Sequence, residues 1–133
     1  EIALSMFDEG ADVVYHAAGG TGIGVFKAAQ ERNRFAIGVD SDQSRSASEY
    51  ADVILASMVK HVDVAVFETV ESVVNDSFEG SVNTLGLEQN GVEAVLGEEL
   101  GSEIPDGVTE NLDSTREAIV DGDITVPTTP EDV

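Results

Sequence analysis

Three short apolar runs punctuate the chain, and two of them lead directly into a segment with helical spacing. The runs are residues 12–17 (DVVYHA), 35–39 (FAIGV) and 53–59 (VILASMV). None alternates apolar with polar over its length, the pattern of strands buried on both faces. Residues 25–32 follow the first run with Val25, Phe26 and Ala29 apolar. After the third run, Val62, Val66, Val70, Val73 and Val74 fall on one helix face with Phe67 beside them. Asp63, Glu68, Glu71, Ser72 and Asn75 fall on the other. The second run leads instead into residues 41–50, which are polar and Ser-rich and read as a loop with a helical turn. Strands alternating with helices predict an α/β fold with a mainly parallel sheet flanked by helices. The connections between parallel strands are expected to be right-handed.

The remaining elements are read from caps and breakers. Residues 1–9 read as the tail of a helix ended by Gly10, and Gly80 closes the long helix. Residues 81–87 and 92–96 are predicted as two further strands joined by a turn at 88–91. Pro105 opens a last helix, with Asp106 and Glu110 early in it, where the dipole favours acids. Val108, Leu112, Ala118 and Ile119 form its apolar face, Gly122 ends it, and residues 124–126 are predicted as a final strand. The 133 residues suit a single core. The chain begins at Glu1 with Ile2, Leu4, Met6 and Phe7 already in an apolar pattern, as expected of a segment cut from a longer protein.

Charge narrows the partners. There are 27 Asp and Glu against six Lys and Arg, a net −21, and Lys27 and Lys60 are the only lysines. Such a surface repels phosphate backbones and anionic membranes, so nucleic-acid binding through a basic face is excluded. No apolar run approaches the 18 residues of a bilayer span. With no cysteine there is no disulfide, thiolate metal site or thiol catalysis. Chains this acidic are often disordered, but the recurring apolar periodicity predicts a folded domain with an acidic surface. Few lysines and evenly spread acids fit a protein adapted to molar salt. At 1 M salt the Debye length is about 3 Å, and surface repulsion is screened.

In a sheet of this kind, ligands bind beyond the carboxyl ends of the strands. That rule selects the turns at 16–24, 40–45 and 57–61. The first holds Gly19, Gly20, Gly22 and Gly24, where the backbone can turn tightly and come close to a ligand, or serve only as a strand-to-helix turn. Asp40 ends the second strand. Its carboxylate can accept from two sugar hydroxyls at once, or cap a turn, although Asp42 suits the cap better. Lys60 either donates to a ligand oxygen or pairs with a surface acid. Tyr15 and His16 end the first strand. Since side chains alternate, one faces the core and the other a cleft, where a ring could stack on a planar ligand. His61 is expected to face solvent.

Catalytic patterns are weak. With two His, no Cys, no G-x-S-x-G and no H-E-x-x-H, no nucleophile–base pair or metal set stands out, and no cofactor is implied. A P-loop is excluded because no G-K-[ST] follows the glycines. A dinucleotide fingerprint is half-present: Gly20 and Gly22 fit, and Asp40 stands 20 residues after Gly20, but the third glycine position is Val25. A nucleotide-binding, Rossmann-like enzyme fragment is therefore the alternative to a binding protein. A regulatory ligand-binding domain of the same fold is a second.

Taken together, DVVYHAAGGTGIGVFKAA, AIGVDSDQ and ILASMVKHVDVAVF, in that order, resemble the basic membrane protein family of substrate-binding lipoproteins. The closing GVEAVLG, an acidic helix and DGDITVP resemble that family's C-terminal end; the likeness is weakest at 98–115. The family is similar to purine nucleoside receptors that serve ABC-type importers. The resemblance implies a type I periplasmic-binding fold, two α/β lobes around a ligand cleft. Residues 1–133 would be the C-terminal lobe, without its first strand and without the N-terminal lobe. It implies a non-enzymatic receptor, extracytoplasmic and lipid-anchored in its full length, with an ABC permease as partner. It also places ligand contacts on Gly19, Gly20, Asp40 and Lys60, with Asp40 on ribose hydroxyls and Tyr15 or His16 against the base.

Overall fold

The computed structural model describes residues 1–129. The elements are α1 (Ile2–Asp8), β1 (Val13–Tyr15), a 3-10 turn (Gly19–Gly22) that runs into α2 (Ile23–Arg32), and β2 (Phe35–Asp40). Then come α3 (Gln43–Ser46), a 3-10 segment (Ser48–Val53), β3 (Ile54–Lys60) and α4 (Val62–Val74). The chain continues with β4 (Val92–Leu96), a short 3-10 turn (Gly101–Glu103) and α5 (Asp106–Val120). The sheet order is β1-β2-β3-β4. β1, β2 and β3 pair in parallel, and β4 runs antiparallel along β3 with Lys60 opposite Val92. The mainly parallel α/β sheet expected from the sequence is therefore the fold.

The core lies on one face of this sheet. Phe7 of α1 and Phe26 and Ala29 of α2 pack with Val14, Ala36 and Ile54 of three adjacent strands. Phe26 and Ile54 are fully buried, and each contributes about 1.5–3 kcal/mol through the apolar surface removed from water. Phe26 meets His16 edge-on at 5.2 Å and Tyr50 at 6.1 Å. Arg32, in the last turn of α2, clamps α1 through two contacts to the Asp8 carboxylate, at 2.7 and 3.2 Å. Asn33, with φ +49°, ends α2 in the left-handed conformation that releases the chain into β2.

Two predicted strands do not form. Residues 81–87 are irregular: their backbone hydrogen bonds close locally instead of extending the sheet past β4, its edge strand. The Gly86 N–H is accepted by the Gln89 side chain and the Gly91 N–H by the Gly86 carbonyl, which makes the segment a closed loop. Residues 124–126 are likewise irregular: the Ile124 N–H turns back to the Ala118 carbonyl and wraps the end of α5. α4 forms but ends at Val74, short of the Gly80 expected to close it, because Asp76 turns to positive φ and the Ser77 N–H folds back to the Ser72 carbonyl. Val62, Val66, Phe67, Val70, Val73 and Val74 are all more than half exposed. Periodicity foretold the helix and its apolar stripe, but the stripe meets no surface among the described residues.

Candidate functional site

Because β1, β2 and β3 are parallel neighbours, their carboxyl ends lie side by side. Tyr15 ends β1, Asp40 ends β2 and Lys60 ends β3. Residues 25 and 20 positions apart in sequence thus converge at one edge. The Lys60 ammonium Nζ stands 2.9 Å from Asp40 Oδ1, and both side chains are about half exposed, at 53% and 54%. This hydrogen bond, then the charge of Asp40, holds the Lys60 ammonium above its ordinary range, with Tyr15 acting in the same direction. Lys60 is a donor that stays charged. Asp40 offers acceptor oxygens on the solvent side.

Asp40 sits in a rare backbone state. Its φ is +72°, and the Ser41 N–H reaches back to the Val39 carbonyl at 2.9 Å. Together these define a γ-turn of the positive-φ kind, which is strained in a residue with a side chain. Strain of this sort concentrates at binding sites. Asp42 takes the cap role: its carboxylate accepts from the Ser44 N–H at 3.1 Å and starts α3. Asp42 is thus the better cap of the two acids, as expected.

The glycine turn closes the other side. Gly19 has φ +52°, a state that disfavours side chains, and neither Gly19 nor Gly20 has any atom near where a Cβ would stand. Their backbone is open to approach. Gly22 serves a different end, since a side chain there would collide with the His16 ring. An open hollow of about 600 Å³ adjoins the turn and is bordered by Tyr15, His16, Ala18 and Thr21. Another, of about 640 Å³, lies between α4 and residues 77–89 and is lined mostly by small and acidic polar side chains. It brings together none of the strand-end residues, so the geometry of the strand ends, and not volume, defines the candidate site.

Tyr15 and His16 take opposite sides, as alternation requires. Tyr15 is 53% exposed and His16 only 5%. His16 lies beneath the glycine turn against Phe26, and neither ring nitrogen finds a hydrogen-bond partner. Burial pushes its imidazole down from the ordinary range, opposed in part by nearby Gln43 and Asp40. The sign follows. His16 stays neutral in the fold, whereas the unfolded chain takes up a proton below about pH 6.5. The unfolded state then binds more protons, and stability falls as the pH drops through that window. A His16→Leu variant removes the effect. Its melting temperature should gain on the parent's progressively between pH 7 and pH 5, and a pH-independent difference would count against this account.

His61 departs from the expectation that it faces solvent. Its side chain is 29% exposed, with Nε2 3.0 Å from Glu93 Oε2 and Nδ1 3.8 Å from Asp63 Oδ1. It pins the start of α4 to β4, because the antiparallel pairing sets Glu93 opposite Val59, two residues before His61. Three residues around Asp40 escaped sequence reasoning. Gln43 Oε1 accepts the Val39 N–H at 2.8 Å, and Ser57 Oγ accepts the Gln43 N–H at 3.0 Å. Gly38 leaves room for both. An isolated glycine inside the FAIGV strand was the available signal, since such a glycine marks a close approach.

A mainly parallel α/β sheet flanked by helices thus gathers an acid, a lysine, an aromatic ring and an open glycine turn at its strand ends. The Bmp family model, described as ABC transporter substrate-binding protein PnrA-like, matches residues 1–129, and the chain belongs to that family. It is 35% identical to a CD4+ T-cell-stimulating antigen of Listeria monocytogenes over 98% of this chain and 40% of that protein. It is 34% identical to the ABC transporter nucleoside-binding protein BmpA of Lactococcus lactis, over 95% of this chain and 39% of that one. The chain therefore spans about two-fifths of the length of these curated relatives. A solved ABC transporter solute-binding protein of Aeropyrum pernix superimposes with a TM-score of 0.77 over 97% of this chain and 44% of that structure. At 24% identity this likeness speaks to the fold alone.

Proposed function

We propose that this chain is one lobe, the C-terminal one, of an extracytoplasmic, lipid-anchored receptor that presents purine nucleosides to an ABC permease. The observation that carries the reading is the convergence of Tyr15, Asp40 and Lys60 on one edge of the sheet. Asp40 accepts from the two ribose hydroxyls, which need paired acceptor lone pairs on one face. Lys60 donates to a ligand oxygen and, through its contact with Oδ1, aims the Asp40 carboxylate. Tyr15, exposed beside them, stacks on the base. Gly19 and Gly20 let the backbone approach, and His16 supports their turn from below. The site binds and does no chemistry: the strand ends carry acceptors and donors but no nucleophile with a base.

A neutral nucleoside suits this surface better than a dinucleotide, because a net −21 repels a pyrophosphate. The nucleoside-binding relative supports the same ligand class. The other half of the contacts comes from the second lobe, and closure of the two lobes signals the permease. Titration calorimetry of the full-length protein in molar salt with inosine, adenosine and guanosine tests this. Saturable binding of at least one nucleoside is the expected result. Binding of NAD with no binding of any nucleoside overturns it.

A further inference from the structure

We propose that Gln43 is a positioning residue: by accepting the Val39 N–H, it holds the strained turn that aims the Asp40 carboxylate. The inference rests on the reading of Asp40 as a ligand contact, and it adds a residue that never touches the ligand.

The structure shows why the turn needs a hold. β1 pairs with β2 only as far as Ile37, so the last part of β2 has no strand neighbour on that side. At Val39 the N–H is taken by Gln43 Oε1 at 2.8 Å, a side-chain acceptor in place of a strand. The Val39 carbonyl accepts from the Ser41 N–H, closing the γ-turn over Asp40. One residue thus carries both anchors of the turn: its carbonyl closes the turn and its N–H is tied to Gln43. Without the second tie, Asp40 is free to relax to negative φ, where a side chain is unstrained. The carboxylate would then swing away from Lys60 and from the strand ends.

Gln43 is itself fixed. Its N–H donates to Ser57 Oγ, on a side chain that is 1% exposed in the middle of β3. Asp42 caps the helical turn that begins at Gln43. Gly38 lies beneath, where an added Cβ would stand 2.6 Å from Ser57 Oγ and 2.9 Å from Gln43 Cβ. The support therefore runs from β3 through Ser57 to Gln43, then to Val39 and the turn. A glutamine suits the role because its amide oxygen accepts at every pH that the fold survives.

The test separates this role from a merely structural one, in the full-length protein and in molar salt. Glycine adopts positive φ without strain, so Asp40→Gly should raise the parent's melting temperature by about 3–5 °C. In a Gln43→Leu background the turn is already relaxed, and the same substitution should give no gain. The Lys60 ion pair is lost on this substitution only in the parent, and being half exposed it can trim the gain there but not abolish it. Gln43→Ala serves the same cycle if the leucine disturbs packing, and Gln43→Glu, which keeps an acceptor oxygen, should restore the gain. Equal gains in all backgrounds overturn the proposal. A second arm reads ligand. Gln43→Leu should weaken binding of whichever nucleoside the parent binds by about tenfold, Gln43→Glu by less than about threefold, and Gln43→Leu should add nothing once Asp40 is alanine. A parent that binds no nucleoside overturns the ligand reading, while the ligand-free cycle still decides whether Gln43 holds the turn.

Discussion

On the proposed function, replacing Asp40 by alanine should weaken nucleoside binding by the full-length protein at least 100-fold while leaving the fold intact. Two hydrogen bonds from ribose hydroxyls to an ionised carboxylate are worth about 1.5–3 kcal/mol each. Their loss is at least about 3 kcal/mol, and each 1.4 kcal/mol is a factor of ten in Kd. The carboxylate is half exposed and outside the core, so its removal opens no cavity. Asp40→Asn keeps the shape and one acceptor but loses the charge, and an intermediate loss of about tenfold is expected. Calorimetry reads both variants, with circular dichroism to confirm the fold. An alanine variant that binds as tightly as the parent removes Asp40 from the site, and with it the ribose assignment.

The second large effect concerns salt. We propose that the acidic surface is an adaptation to molar salt, and transfer to millimolar salt should destabilise the chain severely. Arg32, Arg34, Arg45 and Lys60 already hold acids at Asp8, Glu31, Asp12, Asp42, Glu98 and Asp40. The 27 carboxylates outnumber the six Lys and Arg more than fourfold, so most have no basic residue to pair with. α5 shows the pattern: Asp106, Glu110, Asp113 and Glu117 share the helix with Arg116 as its one basic residue. In molar salt a Debye length of about 3 Å screens this repulsion, whereas at 0.01 M it reaches across the domain at about 30 Å. A loss of about 3 kcal/mol lowers the melting temperature of a domain this size by roughly 10–15 °C. α4 and α5, whose apolar faces are largely exposed, should loosen first. Melting followed by far-UV circular dichroism from 3 M to 10 mM KCl measures it, and an unchanged midpoint would speak against adaptation to salt.

Local pattern reached a long way into this fold. The strand runs at 35–39 and 53–59, the glycine turn and the long helix were visible as periodicity and breakers; the structure places the strands within a residue and ends the helix at Val74, before the expected Gly80. Where pattern failed, the missing information was a partner. Residues 81–87 carry enough apolar character for a strand, but strands exist only in pairs, and these residues close a local loop instead of pairing along β4. The α4 stripe reads as buried because amphipathic helices bury such faces, yet nothing among the described residues covers it. His61 looked like a solvated neighbour of Lys60 until the antiparallel pairing set Glu93 beside it.

The site divides in the same way. Asp40, Lys60 and the glycines stood out because each is a residue type whose chemistry is unusual where it occurs: an acid at a strand end, a lysine where lysines are scarce, glycines in series. Gln43 and Ser57 did not, because an amide and a hydroxyl are ordinary residues until their hydrogen bonds are known.

By itself, then, the sequence determined the class of fold, which residues stand at the strand ends, and the acidity of the chain. These depend on composition and on spacings of two to four residues, which are local. Only the tertiary structure decided that Asp40 and Lys60 meet at 2.9 Å, that Tyr15 turns outward while His16 turns in, and that Asp40 is held at positive φ. The first follows from parallel pairing, which sets side by side residues some 20 positions apart; the others follow from contacts with Phe26 and Gln43, and no local spacing encodes either.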